Sequence, residues 1–381
     1  MTPPIIYFNN AATTWPKPAS VNRTIQTILK KPFEEHGRNS IKGGIDYLES
    51  TRELLAQFFN TPTTESIVFT SNATDALNLL IHGFVKKQNR KKFHVITTEL
   101  EHNSVLRPLK TLEKNGLIYL SILPCKDNKV DFCAFKNVIN SDTRLVVITH
   151  GSNVLGSVQD IKKISEYLSA NNIFLIVDGA QTAGQIEIDL TEIPVDAFVF
   201  TGHKSLFGFT GTGGFFLRDS DTIDSIKQGG TGIYSQLLYQ PQEMPIKFET
   251  GTPNYVGIAS LNAGIQYIND IGLDRIELKN KRMIEFIISE LSTNENIILH
   301  NKTPELPIVS FNIKSVDNNE VGFILMEHYN TIVRTGLHCA PLVHKNISNC
   351  NGSVRISLSY LNTLSECNIV TEAIKNIANS Y

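Results

Sequence analysis

The sequence predicts an α/β protein. A large domain with a mostly parallel central sheet is expected at residues 16–255, and a smaller α+β C-terminal domain at 256–381 that residues 1–15 join. Three observations lead there. Short apolar runs alternate with stretches of helical period, the pattern of βαβ units. Each run ends abruptly in polar side chains. Beyond about residue 255 the alternation gives way to a long helix and two later strand-like runs.

The elements follow in order. Residues 19–31 carry Val21, Ile25, Ile28 and Leu29 at helical spacing, and residues 47–59 carry Leu54, Leu55, Phe58 and Phe59 likewise, so both predict helices. Strands are predicted at 67–70, 95–98, 145–149, 173–177 and 197–200. The first leads into Asn72-Ala73-Thr74, the second into Glu101-His102-Asn103, and the third into His150-Gly151-Ser152-Asn153. The fourth ends in Asp178-Gly179-Ala180-Gln181 and the fifth in Thr201-Gly202-His203-Lys204. Ligands of open α/β sheets bind outside the carboxyl ends of the strands, so five polar strand ends describe one site. The glycine-rich stretch 208–214 reads as a turn. It matches neither GxGxxG nor GxxxxGK[ST], which argues against a nucleotide loop. Gly229-Gly230-Thr231-Gly232 marks another loop. A helix is predicted at 256–271, then strands at 308–313 and 354–358.

Composition excludes several classes. A chain of 381 residues can bury a large core. Net charge is 35 − 37 = −2, so nothing pulls the protein toward nucleic acid or an anionic membrane. Lys86, Lys87, Arg90, Lys91 and Lys92 read as a solvated loop rather than a nucleic-acid patch. The N-terminus shows no signal-peptide pattern, and no run of about eighteen apolar residues exists, so a cytoplasmic protein is expected. The five cysteines are scattered and do not read as a disulfide framework. His338, Cys339 and His344 lack the further ligands a zinc site needs, and no metal site is predicted.

The chemistry centres on Lys204. A lysine in a turn after a buried strand can be desolvated and lose its charge, as a Schiff-base lysine must. Asp178, at the previous strand end, reads either as a turn aspartate or as the acid that keeps a pyridine nitrogen protonated. An acid and a lysine so placed are what pyridoxal phosphate needs in order to act as an electron sink. Gln181 could donate to the cofactor's phenolate oxygen. Thr74 opens a helix whose N-terminus favours an anion such as phosphate, or is a plain cap; Thr201 and His203 are further phosphate candidates. His102 could stack on the ring and shuttle protons, or be an ordinary loop histidine. Downstream, Arg334-Thr335-Gly336-Leu337-His338-Cys339-Ala340-Pro341 sets a cysteine near cationic groups that favour a nucleophilic thiolate; a buried small side chain is the bland alternative. Arg355 lies inside an apolar strand, where a buried arginine wants a carboxylate from the protein or from a substrate.

Taken together these motifs resemble the class V aminotransferases among the fold-type I pyridoxal-phosphate-dependent transferases. Within them the sequence resembles the cysteine desulfurase/selenocysteine lyase family, on its group II, SufS-like side. The resemblance runs nearly end to end, through Asn9-Asn10-Ala11-Ala12-Thr13-Thr14, the five strand ends, Gly251-Thr252-Pro253-Asn254, residues 334–341 and Arg355. It implies pyridoxal 5'-phosphate attached to Lys204, with Asp178 on the ring nitrogen, Gln181 on the phenolate oxygen and His102 on the ring. Phosphate would be held by Thr74, Thr201 and His203, with Thr252 reaching across from a second subunit, and Ala73 and Asn153 would also bind the cofactor. Asn153 and Arg355, with Arg334 beside them, would hold the substrate carboxylate, and Arg38 would reach a neighbouring active site. Cys339 would accept sulfur as a persulfide.

The implied activity is L-cysteine desulfuration to L-alanine by a homodimer that passes sulfur to an acceptor protein. Action on L-selenocysteine, another class V transaminase or lyase reaction, and a low-activity sulfur-carrier scaffold are the alternatives. One departure from the group II pattern is Leu337, where a first histidine usually precedes the cysteine. The chain is also somewhat short for that branch.

Overall fold

The computed structural model describes residues 4–30, 45–89, 91–348 and 351–381. Its centre is a seven-stranded sheet. The strand order is Ile67–Thr70, Gly213–Leu217, Ala197–Thr201, Phe174–Asp178, Thr143–Thr149, Phe93–Thr98 and Ile118–Leu123. Only Gly213–Leu217 runs antiparallel to its neighbours within this sheet. The five predicted strands are all present. Gly213–Leu217 and Ile118–Leu123 were not anticipated.

Burial on both faces explains why the strands read as unbroken apolar runs. Ile96, Val146, Ile148, Leu175, Val177, Phe198 and Phe200 point to one core. Their neighbours Val95, Leu145, Val147, Phe174, Ile176, Ala197 and Val199 point to the other. The helix Tyr47–Phe58 covers the first face with Leu55 and Ala56. Helices Ala73–Lys87 and Asn103–Lys114 cover the second with Leu77, Leu80, Phe84, Val105 and Leu109.

The two glycines opening Gly213–Leu217 explain why a strand hid in a stretch that reads as a turn. A Cβ on Gly213 would lie 2.7 Å from Asn72 Cα, and one on Gly214 would lie 2.3 Å from the Val68 carbonyl oxygen. The strand needs glycine there because backbone passes at contact distance.

A second, four-stranded antiparallel sheet has the order Ile297–Leu299, Ile308–Ile313, Ser353–Ser357, Arg334–Gly336. Helices Leu273–Leu291 and Leu364–Ser380 pack on it through Met283, Ile284, Ile287, Val370 and Ile374. The N-terminal strand Ile6–Tyr7 joins this side, pairing in parallel with Thr331–Ile332. Among the described residues no helix is long and apolar enough to cross a membrane.

Candidate active site

The carboxyl ends of the central strands and the edge of the small sheet face one another across a cleft of about 490 Å³. Eleven of the residues singled out from sequence line it: Ala73, Thr74, His102, Asn153, Asp178, Gln181, Thr201, His203, Lys204, Arg334 and Arg355. Thr252 is exposed and belongs to a separate cleft of about 190 Å³, beside the ion pair of Lys227 and Asp75. Arg38 lies outside the described residues.

On the central-sheet side, Asp178 is the last residue of its strand and is buried. Its Oδ1 accepts the Ala180 amide at 3.0 Å. No cation lies within ion-pair distance among the described residues, and burial pushes its pKa up. Lys204 lies three residues beyond Ala197–Thr201. Desolvation brings its ammonium down to about 8, against the opposing pull of Asp178. Asn72 caps the helix Ala73–Lys87 by accepting the Asp75 amide at 2.9 Å. The cap leaves the first amides of the helix, at Ala73 and Thr74, without intrahelical partners beside the cleft. His203 Nδ1 is buried without a partner.

His102 caps the helix Asn103–Lys114. Its Nδ1 accepts the Ser104 amide at 3.1 Å. Nδ1 is therefore the unprotonated nitrogen, and the proton of the neutral ring sits on Nε2. Desolvation and the nearby charges of Lys204 and Arg334 hold its pKa down to about 4, so the ring is neutral near pH 7. Gln181 commits one amide hydrogen to the Ala11 carbonyl at 3.0 Å and keeps the other.

On the small-sheet side, Arg355 is fully buried at the centre of its strand. It donates to the Asn153 carbonyl at 2.9 Å and to Asn9 Oδ1 at 3.1 Å, while its Nε has no partner. No protein carboxylate pairs with it among the described residues. Desolvation, then Arg334, lower its pKa to about 9. Arg334 stands directly opposite Arg355 across the antiparallel pair. Like charges placed so are destabilising, and an anion between them relieves the repulsion.

Arg334 also donates to the Cys339 sulfur at 3.5 Å. The cysteine is half-buried. Its carbonyl accepts the Asn103 amide at 2.7 Å, and the preceding His338 carbonyl accepts Asn153 Nδ2 at 2.7 Å. Asn153 therefore ties the cysteine loop to the cleft.

Sequence reasoning missed several neighbours. Ala11 and Ala12 line the cleft, and as alanines they carry no chemistry that marks them in the sequence. Glu101 is fully buried, accepts from Thr98 Oγ1 at 2.7 Å and from the Thr149 amide at 3.1 Å, and is pushed up to about 8 by desolvation. An acid directly beside His102 was the available signal. Lys17 donates to the His203 carbonyl at 2.8 Å, and nothing local in the sequence marks it. Among the described residues, no group of three or more His, Cys, Asp or Glu side chains could hold a metal ion.

Comparison with known proteins adds four findings. The family model Aminotransferase class-V matches residues 6–370. A probable cysteine desulfurase of Methanothermobacter thermautotrophicus is 33% identical over 97% of this chain and 94% of its own. A cysteine desulfurase of Wigglesworthia glossinidia brevipalpis is 30% identical over 93% of this chain and 88% of its own. Among solved structures, the apo cysteine desulfurase of Thermococcus onnurineus matches with a TM-score of 0.92 at 29% identity, covering 99% of this chain and 95% of its own.

Proposed function

Because the chain belongs to the class-V aminotransferase family, and within it to the cysteine desulfurases, we propose that it takes sulfur from L-cysteine onto Cys339 with pyridoxal phosphate attached at Lys204. One observation carries the reading: Arg334 lines the same cleft as Lys204 and donates to the Cys339 sulfur at 3.5 Å.

The residues present fit the cofactor. Asp178 is a buried acid with no cation at ion-pair distance among the described residues, suited to a pyridinium N–H. The unpaired amides of Ala73 and Thr74, the Thr74 and Thr201 hydroxyls and the orphaned His203 Nδ1 suit a phosphate. The free amide hydrogen of Gln181 suits a phenolate oxygen, and His102 would lie against the ring. When bound, the cofactor supplies an electron sink for charge developing on the substrate carbon.

The chain supplies the rest. Arg355, with Arg334 and Asn153 beside it, would bind the substrate carboxylate and so orient the amino acid. A lysine brought down to about 8 is a usable base near neutral pH, and Lys204 would move the proton at the substrate α-carbon. Neutral His102 would hold a proton on Nε2 for transfer inside the cleft. Cys339 would attack the substrate sulfur: an S–S bond forms, the C–S bond breaks with its electron pair left on the β-carbon, and alanine is completed by one proton delivered to the β-carbon and by return of the α-proton that Lys204 took.

We extend the reading to a homodimer in which Thr252 and Arg38 serve the neighbouring site. The exposed Leu238 and Tyr239, at 96% and 88%, support it, because apolar side chains so exposed fit burial against a second copy. We place the domain division at 255/256 and count residues 1–15 with the small domain, a grouping that the pairing of Ile6–Tyr7 with Thr331–Ile332 supports. The sulfur acceptor would be a separate protein.

The test is turnover of L-cysteine, followed as alanine and sulfide with and without a thiol reductant. Cys339→Ala should retain the cofactor yet release almost no alanine. The unmodified protein, reacted briefly without reductant, should carry one extra thiol-removable sulfur on the Cys339 peptide. Normal turnover by Cys339→Ala would falsify the desulfurase reading and favour a transaminase or lyase, which a requirement for a keto acid would identify.

A further inference from the structure

We propose that residues 9–17 form a strap that holds Arg355 and Lys204 in register across the cleft, making Asn9, Thr14 and Lys17 positioning residues. The inference rests on the roles of Arg355 and Lys204 proposed above.

The strap begins where Ile6–Tyr7 pairs with Thr331–Ile332, just before Arg334. Asn9 Oδ1 accepts from Arg355 at 3.1 Å. The Ala11 amide donates to Ser357 Oγ at 2.9 Å, and Asn10 Nδ2 donates to the Ser357 carbonyl at 2.9 Å. Ser357 lies two residues beyond Arg355 on the same strand, so this end of the strap grips the strand that carries the arginine.

The chain then crosses the cleft. The Ala11 carbonyl accepts Gln181 Nε2 at 3.0 Å. At the far end three donors converge on the His203 carbonyl: the Thr14 amide at 3.1 Å, Thr13 Oγ1 at 3.2 Å and Lys17 Nζ at 2.8 Å. Thr14 Oγ1 donates to the next carbonyl, that of Lys204, at 2.8 Å. The carbonyls on both sides of the Lys204 α-carbon are therefore fixed by the strap.

The strap is itself stiff. Pro16 and Pro18 restrict the backbone on either side of Lys17. The Tyr7 hydroxyl donates to the Thr13 carbonyl at 3.0 Å, and the Trp15 amide to Asn10 Oδ1 at 3.2 Å. Burial brings the Lys17 ammonium down to about 7, and no carboxylate pairs with it among the described residues. A costly desolvated cation aimed at a backbone carbonyl makes sense if the position of that carbonyl matters. Lys204 follows a strand end and would otherwise depend on its own turn, while Arg355 belongs to a different sheet. One short segment touching both sets the distance between the group that grips the substrate carboxylate and the amine that acts on the α-carbon.

The experiment uses the holoenzyme and the variants Thr14→Val, Lys17→Met and Asn9→Ala. A control comes first: borohydride must fix pyridoxal phosphate to Lys204 in the unmodified protein. Failure there overturns the proposed function and the strap's purpose with it, whereas the variants below overturn the strap alone, which separates the two ideas. Given success, Thr14→Val and Lys17→Met should move the titration midpoint of the bound chromophore by about half a pH unit or more. Asn9→Ala should leave that midpoint alone, raise KM for cysteine about tenfold and change kcat little, because it loosens a hydrogen bond to the charged arginine. Should Thr14→Val fail to fold, Thr14→Ser keeps the hydroxyl and should titrate as the unmodified protein does, while Lys17→Met carries the test. Unmoved midpoints together with an unchanged KM in Asn9→Ala overturn the strap and leave ordinary packing.

Discussion

The two walls of the cleft are built on opposite principles. The central-sheet wall hangs its groups from strand ends whose positions follow from a sheet buried on both faces. Asp178, Thr201 and Lys204 stand at or just past regular strands, with peptide groups paired to their neighbours. The small-sheet wall is irregular. Arg334 and Arg355 face each other as like charges, and the loop that follows has φ of 94° at Gly336, 50° at His338 and 59° at Cys339. For residues other than glycine the left-handed region costs on the order of 1 kcal/mol or more. Regular backbone suits a group that stays bound throughout the reaction. Cost stored in charge and backbone suits groups proposed to meet a transient anion and to pass sulfur on. The first wall should therefore tolerate loss of the second, and not the reverse.

The largest effect should come from breaking the first wall. Lys204→Ala should lose borohydride fixation and bring turnover below detection, whatever the state of Arg355 and Cys339. The sharpest challenge is Lys17, another desolvated lysine nearby. A borohydride label on the Lys17 peptide instead of the Lys204 peptide would overturn the assignment and redraw the wall.

A smaller and selective effect should come from the second wall. Arg355→Lys keeps the charge but loses the planar fork that matches a carboxylate. A lost charge-assisted contact is worth roughly 1.5–3 kcal/mol, or about ten- to a hundredfold in cysteine affinity. The cofactor chromophore should stay intact. Titrating cysteine against that chromophore measures both. Unchanged affinity in a folded variant makes Arg355 a structural cation and removes the contrast between the walls.

How legible each wall was in the sequence follows the same division. The first could be read because both-face burial writes continuous apolar runs that stop at the residues lining the cleft; the runs at 67–70 and 197–200 fall on Ile67–Thr70 and Ala197–Thr201 to within a residue. Gly213–Leu217 escaped because close backbone approach selects the glycines that otherwise signal a turn. Ile118–Leu123 escaped because it is an edge strand with partly exposed side chains, so its apolar run is broken. In the second wall Arg355 betrayed itself as a charge inside an apolar strand. Its opposition to Arg334 depends on strand register between segments some twenty residues apart, which no local pattern encodes. Lys17 matters only through a partner that folding brings to it, the His203 carbonyl.

Glu101 offers the mildest test of the first wall, because it lies behind the site and touches no proposed ligand group. Its Oε1 takes both hydrogen bonds from Thr98 and Thr149, while Oε2 is buried without a partner. Burial, more than the nearby Asp178, raises its pKa to about 8, so the acid is neutral near pH 7. A group whose folded pKa lies above its unfolded value of 4.5 stabilises the fold fully below pH 4.5. That stabilisation is lost as pH rises toward about 8. Glu101→Gln keeps the shape and the neutral state and removes the titration. Turnover at pH 7 should stay within about twofold of the unmodified protein, a difference of less than half a kcal/mol in barrier. In stability, the variant should gain steadily on the unmodified protein between pH 4.5 and 8. Urea midpoints measured across that range decide it. Parallel curves would mean that Glu101 titrates alike in both states and that the wall behind Asp178 already holds a second charge.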